Sequence, residues 1–256
     1  MPLLTGERLQ NRYRIVSLLA AGSSGATYRA WDDVDKRDVA IKEHLDRSPD
    51  AQRLFRAEAD RLTRLKHEQI PELLDHFCLD SGCYLVSRFV DGVDLQSLLN
   101  QYGPLPSDLI IGWLQATAKP LQYLHEQGQL HLGIKPANVR LAPDGRIFLV
   151  DSGLPGMGLP AINDGYAAPE LAAQTEATPA SDIFSLGATL YTLLTAQVPP
   201  DPLHRESGLV DLQPAREVNP NVEPYLSIVA NRAMSLRPDA RYETAVDFAD
   251  ALARPP

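Results

Sequence analysis

The spacing of apolar residues changes period at Asp91-Gly92, and that change limits the folds open to this chain of 256 residues. Before it, apolar residues alternate, as they do when one face of a pleated strand is covered. Tyr13 to Ala20, Ala26 to Asp32 and Arg37 to Glu43 read as strands, the last holding the apolar run Val39-Ala40-Ile41. Leu73 to Leu79 and Tyr84 to Val90 alternate around a turn and read as a hairpin. One interruption stands among them. Leu54, Phe55, Ala57, Leu62 and Leu65 recur at helical intervals with charges between, which predicts a helix within 50–66. After Asp91-Gly92 the pattern is helical, over Leu95 to Leu99, Pro106 to Glu126, Ser181 to Ala196, Val222 to Leu236 and Thr244 to Ala253. Pro106 and Pro179 stand near helix starts, where a missing N–H is harmless. Residues 198–224 are rich in proline and read as irregular. A sheet with one helix, followed by a helical part, is an α+β arrangement. No internal repeat or low-complexity linker divides it.

Hydrophobic residues at 44 % and charged residues at 22 % suit a globular chain with a sizeable core. A net charge of -9 argues against non-specific nucleic-acid binding, which needs clustered Lys and Arg. No apolar stretch reaches the ~18 residues of a membrane span, and the N-terminus lacks the basic-then-apolar order of a signal peptide. Cys78 and Cys83 fit facing positions on a hairpin, with Asp80-Ser81-Gly82 at the turn, and read as small apolar strand residues. So few cysteines fit a reducing, cytoplasmic location.

The chemistry-bearing residues fall in a fixed order. Leu19-Ala20-Ala21-Gly22-Ser23-Ser24-Gly25-Ala26-Thr27-Tyr28 is a turn between strands, with glycines that let the backbone approach an anion. Val39-Ala40-Ile41-Lys42 sets a lysine at the end of an apolar strand. His131-Leu132-Gly133-Ile134-Lys135-Pro136-Ala137-Asn138, Asp151-Ser152-Gly153, Ala168-Pro169-Glu170, Ser181-Asp182-Ile183-Phe184-Ser185-Leu186-Gly187 and Arg241 follow. This order resembles the eukaryotic-type Ser/Thr protein kinases, especially their bacterial branch, over essentially the whole chain. The resemblance implies one protein-kinase-like domain over 1–256 with a bilobal α+β fold. A small β-rich N-lobe with one main helix would span 1–91, and a larger, mainly helical C-lobe 92–256. ATP and Mg²⁺ would bind in the cleft between them.

The resemblance also implies roles. Ala20, Gly22, Gly25 and Thr27 would form the lid over ATP, stiffer and less closely fitting than usual, with Ala20 in place of a glycine and Thr27 in place of a valine. Ala40 and Lys42 would line the nucleotide, Lys42 on its α- and β-phosphates, with Glu58 pairing to Lys42. Ser87 takes the gatekeeper position, and the backbone from Arg88 to Val90 would meet the adenine edge. Arg140 occupies a usually apolar place under the ring, where its guanidinium either stacks on the π face or turns to solvent. Asn138 and Asp151 would hold the metal. Asp182 would hold the catalytic-loop backbone, and Arg241 would pair with Glu170.

Departures cluster on the substrate side. Gly133 stands where the family has the Asp that receives the proton of the attacking hydroxyl. Leu132 replaces the Arg that binds a loop phosphate, and residues 153–170 contain no Ser or Thr. Ser152 replaces a Phe and Asn163 a Thr. Lys42, Glu58, Lys135, Asn138 and Asp151 survive. This pattern reads as a nucleotide-binding pseudokinase that works through a protein partner in signalling or scaffolding. The alternatives are a weakly active Ser/Thr kinase that moves the γ-phosphate to protein hydroxyls, and a kinase-fold nucleotidyl transferase. A general base contributes about 10²–10⁴-fold, so residual transfer through water or Lys135 stays physically open.

Overall fold

The structure is a computed structural model that describes residues 2–22, 25–151, 165–173 and 176–253. The chain divides into two compact units, one running to Asp91 and the other starting at Gly92.

The first unit is a six-stranded antiparallel sheet of β1 (Arg8–Leu9), β2 (Tyr13–Gly22), β3 (Gly25–Asp32), β4 (Arg37–His44), β5 (Leu73–Leu79) and β6 (Gly82–Arg88), with helix α1 (Pro49–Leu62) between β4 and β5. The strand order is β1-β2-β3-β4-β6-β5. Alternation along the strands divides the sheet into two faces. One face packs Tyr28, Ala30, Ile41 and Val86 into a core with Tyr13 and Phe77. On the other, α1 lays Phe55 and Ala59 against Cys83 and Leu85. Ser48 starts α1, its Oγ accepting the Ala51 N–H at 3.2 Å, and Pro49 opens the first turn. Glu43 is buried between two tyrosines whose hydroxyls donate to it, Tyr28 at 2.9 Å and Tyr84 at 3.1 Å. Burial pushes the Tyr84 phenol up to about 12, so it stays a donor across the ordinary pH range.

Cys78 and Cys83 correct the sequence expectation. They are opposed across β5 and β6, their Cα atoms 4.0 Å apart, and they form a disulfide. Their spacing put them on facing strands. The two-residue turn of Asp80 and Ser81 sets the register that brings the sulfurs together. The cysteine count therefore no longer supports a reducing compartment.

The second unit holds β7 (Val93–Asp94), α2 (Leu95–Tyr102), α3 (Ser107–Glu126), β8 (Val139–Leu141), β9 (Ile147–Leu149), α4 (Pro169–Ala172), α5 (Pro179–Thr195), α6 (Pro202–Glu206), α7 (Ala215–Val218), α8 (Pro224–Ala233) and α9 (Ala245–Ala253). Helix α5 is its axis, buried at every position from Ser181 to Thr195. Leu114 and Leu121 of α3, Leu226 of α8 and Phe248 of α9 belong to the same core. Two features escaped the sequence pattern. The small sheet β7-β8-β9 has strands too short to show a period. The stretch read as irregular contains α6 and α7, each a turn or so long. Among the described residues, no helix is long and apolar enough to cross a membrane.

Arg241 ties the C-terminal end of this unit to α4. Its guanidinium donates to Glu170 Oε1 at 2.6 Å and Oε2 at 2.9 Å, and to the carbonyls of Ala180, Ser235 and Leu236. Burial would push the Glu170 carboxyl up, but hydrogen bonds from Arg241 and Ser181 hold it below its usual value. Removing one member strands a buried charge. Arg241→Ala is expected to cost about 3–5 kcal/mol in denaturant unfolding. Because the folded-state pKa of Glu170 is depressed, its contribution is complete above its ordinary value of 4.5 and is lost as pH falls through the lowered one. A pH series of the natural protein against Glu170→Gln checks this, with the two stabilities converging in acid.

Candidate nucleotide site

In the first unit, strand register gathers the expected nucleotide residues. Thr27 lies opposite Lys42, Ala20 opposite Thr27, and Ala40 opposite Ser87. Thr27, Ala40, Lys42 and Ser87 therefore share the face on which α1 packs. Gly22 and Gly25 close the β2–β3 hairpin. Gly25 has φ +151°, and a Cβ there would sit 1.8 Å from the Glu43 carbonyl oxygen. No other residue fits without moving that strand. At the end of β6 the Arg88 N–H donates to the Glu72 carbonyl at 2.9 Å. The Val90 N–H makes no hydrogen bond to a described residue, which leaves a donor for a planar acceptor.

Glu58 departs from expectation. It is 6 % exposed, and Arg61, one turn along the same helix, meets its Oε2 at 3.4 Å. Its Oε1 is buried with no hydrogen-bond partner among the described residues. The pair with Lys42 that the resemblance implies is thus not made by Glu58 here. The carboxylate is turned to its own helix. Burial pushes this carboxyl up, against the pull of Arg61. A cation arriving at Oε1 would relieve that cost.

In the second unit one buried carboxylate organises the loop from His131 to Asn138. Asp182, 0 % exposed, accepts the His131 N–H at 2.9 Å and the Leu132 N–H at 2.7 Å, and meets His125 Nε2 at 2.9 Å. These bonds hold Leu132 at φ +52°, a left-handed conformation that β- and γ-branched side chains resist. His131 lies between Val150 and Gly133. Its Nδ1 accepts the Gly133 N–H at 3.3 Å, so Nε2, 3.2 Å from the Val150 carbonyl, carries the proton. Asn138 Nδ2 donates to the Gly133 carbonyl at 2.7 Å, which leaves Oδ1 as the acceptor end of that amide. Asp151 also sits at positive φ, +61°.

Gly133 is a different case from Gly25. Its φ is not positive, and a Cβ would meet the Asp151 carbonyl at 3.5 Å and Asn138 Nδ2 at 3.6 Å, ordinary contact distances. The backbone at this position has room for a side chain such as that of aspartate. Lys135, extended at the start of the 3₁₀ turn Pro136–Asn138, lines a pocket of about 450 Å³ with Gln96, Ala137, Tyr166, Pro199 and Asp201. The sequence reading missed Gln96, Pro199 and Asp201. Their only local signal is the proline cluster at 199–202, which marks a turn and no more. Arg140, on β8, is half-buried and donates to the Gly92 carbonyl at 3.1 Å. Ser152, Gly153 and Asn163 lie outside the described residues.

The profile described as "Protein kinase domain" matches residues 13–241. The chain belongs to the protein kinase domain family. This kinase domain is 29 % identical to serine/threonine-protein kinase PknA of Mycobacterium tuberculosis, over 97 % of the chain and 62 % of the relative. It is 30 % identical to serine/threonine-protein kinase PrkC of Bacillus subtilis, over 96 % and 41 % respectively. It thus spans less than two thirds of the length of either relative. The crystal structure of Rad53 1–466 in complex with AMP-PNP shares the fold, with a TM-score of 0.78 at 22 % identity over 93 % of this chain and 64 % of that one. The fold is the mixed α+β kinase fold, a β-sheet unit followed by a helical one.

Two substitutions probe the site's construction. Asp182→Asn removes charge and one of two acceptor atoms, and is expected to cost about 1.5–3 kcal/mol for each charged hydrogen bond lost, read by urea unfolding. Glu58→Gln removes the buried charge and is expected to raise the midpoint of thermal unfolding at pH 7 by about 2–4 °C. That gain should vanish as pH falls and Glu58 protonates, because its folded-state pKa is raised.

Proposed function

We propose that this kinase domain binds Mg-ATP and works as a pseudokinase, its nucleotide-bound form being read by a protein partner in signalling or scaffolding. The observation that carries the reading is the loop at Gly133. Its backbone is held by Asp182 and Asn138 in a defined shape, while the proton-accepting carboxylate is missing. Protein kinases use a strand lysine on the phosphates and an Asn and an Asp on the metal. Lys42, Asn138 and Asp151 supply those types here.

Asp151 and the Oδ1 of Asn138 are hard oxygen donors of the kind that suit Mg²⁺, which takes one or two protein ligands and completes its shell with phosphate and water. Among the described residues no group of three or more His, Cys, Asp or Glu could hold a metal ion. Bound with the nucleotide, the metal would supply charge neutralisation at the phosphates. Lys42 would bind phosphate, the Val90 N–H would orient the base, and Glu58 would gain a cation for its unpartnered oxygen. Residues of the pocket beside Lys135, Tyr166 and Asp201 among them, would meet a peptide of the partner.

A second reading, a weakly active Ser/Thr kinase, draws on the same loop. Asn138 and Lys135 survive beside Gly133, and an absent base costs only about 10²–10⁴-fold.

Thermal unfolding with and without nucleotide separates these readings. ATP with Mg²⁺ at about 100-fold its Kd should add about 2.7 kcal/mol, a rise of roughly 5–10 °C. Mg²⁺ alone should add little, and Asp151→Ala should lose most of the Mg-dependent part. No response to Mg-ATP would remove the nucleotide reading. Transfer of labelled γ-phosphate should be negligible for the natural protein and should appear in Gly133→Asp. Brisk transfer by the natural protein would establish the second reading instead.

A further inference from the structure

We propose that Cys78 and Cys83 are a thiol–disulfide switch that sets how helix α1 packs on the sheet. The pair goes beyond anything the nucleotide reading requires. It bonds opposed positions of β5 and β6. Cys83 is fully buried, whereas Cys78 is partly exposed and sits on β5, an edge strand of the sheet. Cys78, at the sheet edge, is therefore the sulfur that we assign as the point of attack for a reductant.

The sulfurs form part of the seat of α1. The cluster beneath that helix is small: Phe55, Ala59, Cys83 and Leu85, with Leu62, Leu73 and Cys78 around it. Cys83 lies opposite His44, and Leu85 opposite Lys42. The disulfide therefore stands on the Lys42 face of the sheet, under the turn of α1 that carries Glu58 between Phe55 and Ala59. Bonded sulfurs are about 2.05 Å apart. Two thiols separate to van der Waals contact, about 3.5 Å or more. A change of that size in a close-packed cluster displaces its neighbours. The strands are held by their ladder of backbone hydrogen bonds, so α1 is the element that yields, and Glu58 moves with it.

The chemistry needs a dithiol reductant. One of its thiolates attacks Sγ of Cys78, the S–S bond breaks, and Cys83 leaves as a thiolate that takes a proton. The second thiolate attacks the mixed disulfide and releases Cys78 as a thiol. Two electrons and two protons reach the protein, and the reductant becomes its own disulfide. Any effect on Mg-ATP rests on the reading proposed above. The packing change itself does not.

Hydrogen exchange of the full chain, air-oxidised and then equilibrated with dithiothreitol, tests the switch. Alkylation mass should count no thiol before reduction and two after it. Amides of α1 over 51–62 should exchange at least about tenfold faster once reduced, while β2–β4 and α5 stay unchanged. Cys78→Ala with Cys83→Ala should exchange at one rate in both conditions. If that double variant fails to fold, the two redox states of the natural protein still decide. Two free thiols in the oxidised protein, equal α1 exchange in both states, or a rise spread over β2–β4 would each overturn the proposal. Mg-ATP affinity in both states reads the consequence. Absence of binding in both defeats the nucleotide reading, and α1 exchange still decides the switch.

Discussion

The loop that carries Lys135 and Asn138 keeps its shape because of one carboxylate. Asp182 is fully buried on the axial helix of the second unit, and its oxygens meet two backbone N–H groups and an imidazole. A buried charge without such donors would be costly. With them it becomes the anchor that keeps Leu132 left-handed, at a strain of about 1–2 kcal/mol. The anchor depends in turn on α5, which packing fixes along its whole length. A surface property, the position of a few polar groups, is thereby set from the core.

None of this hold passes through the side chain at position 133. Asp182 grips the backbone before it, Asn138 grips its carbonyl, and His131 accepts its N–H. A carboxylate can be absent there without loosening the loop, and the backbone has room to carry one. The shape of the loop is thus set independently of the side chain carried at position 133. Glu58 shows the opposite economy. Its buried, unpartnered oxygen costs stability in the present arrangement, a cost of the kind that sites retain when a ligand or partner relieves it.

The sheet of the first unit joins two features that look unrelated in the chain. Lys42 and the Cys78–Cys83 bond stand on one face because residues two apart on a strand point the same way and opposed residues on neighbouring strands share a face. Helix α1 covers the sulfurs and carries Glu58. A change confined to the β5–β6 hairpin therefore reaches the helix that carries Glu58 through a single layer of side chains.

Much of this was legible beforehand. The change of period at Asp91-Gly92 marks the division into two units, since alternation and helical spacing depend only on local geometry. The order of motifs carried the family, the pairing of Arg241 with Glu170 and the grip of Asp182 on the loop. The strands of the small sheet at Val93, Val139 and Ile147 were too short to show a period, and the pocket residues Gln96, Pro199 and Asp201 converge from distant segments with no shared pattern. Sequence alone determined which groups are present: Lys42, Asn138 and Asp151, and a glycine, without a side chain, at 133. Tertiary structure alone decided what those groups touch. It turned Glu58 to Arg61, bonded the two cysteines and left room at Gly133, because partner choice and packing space depend on elements brought together from far along the chain.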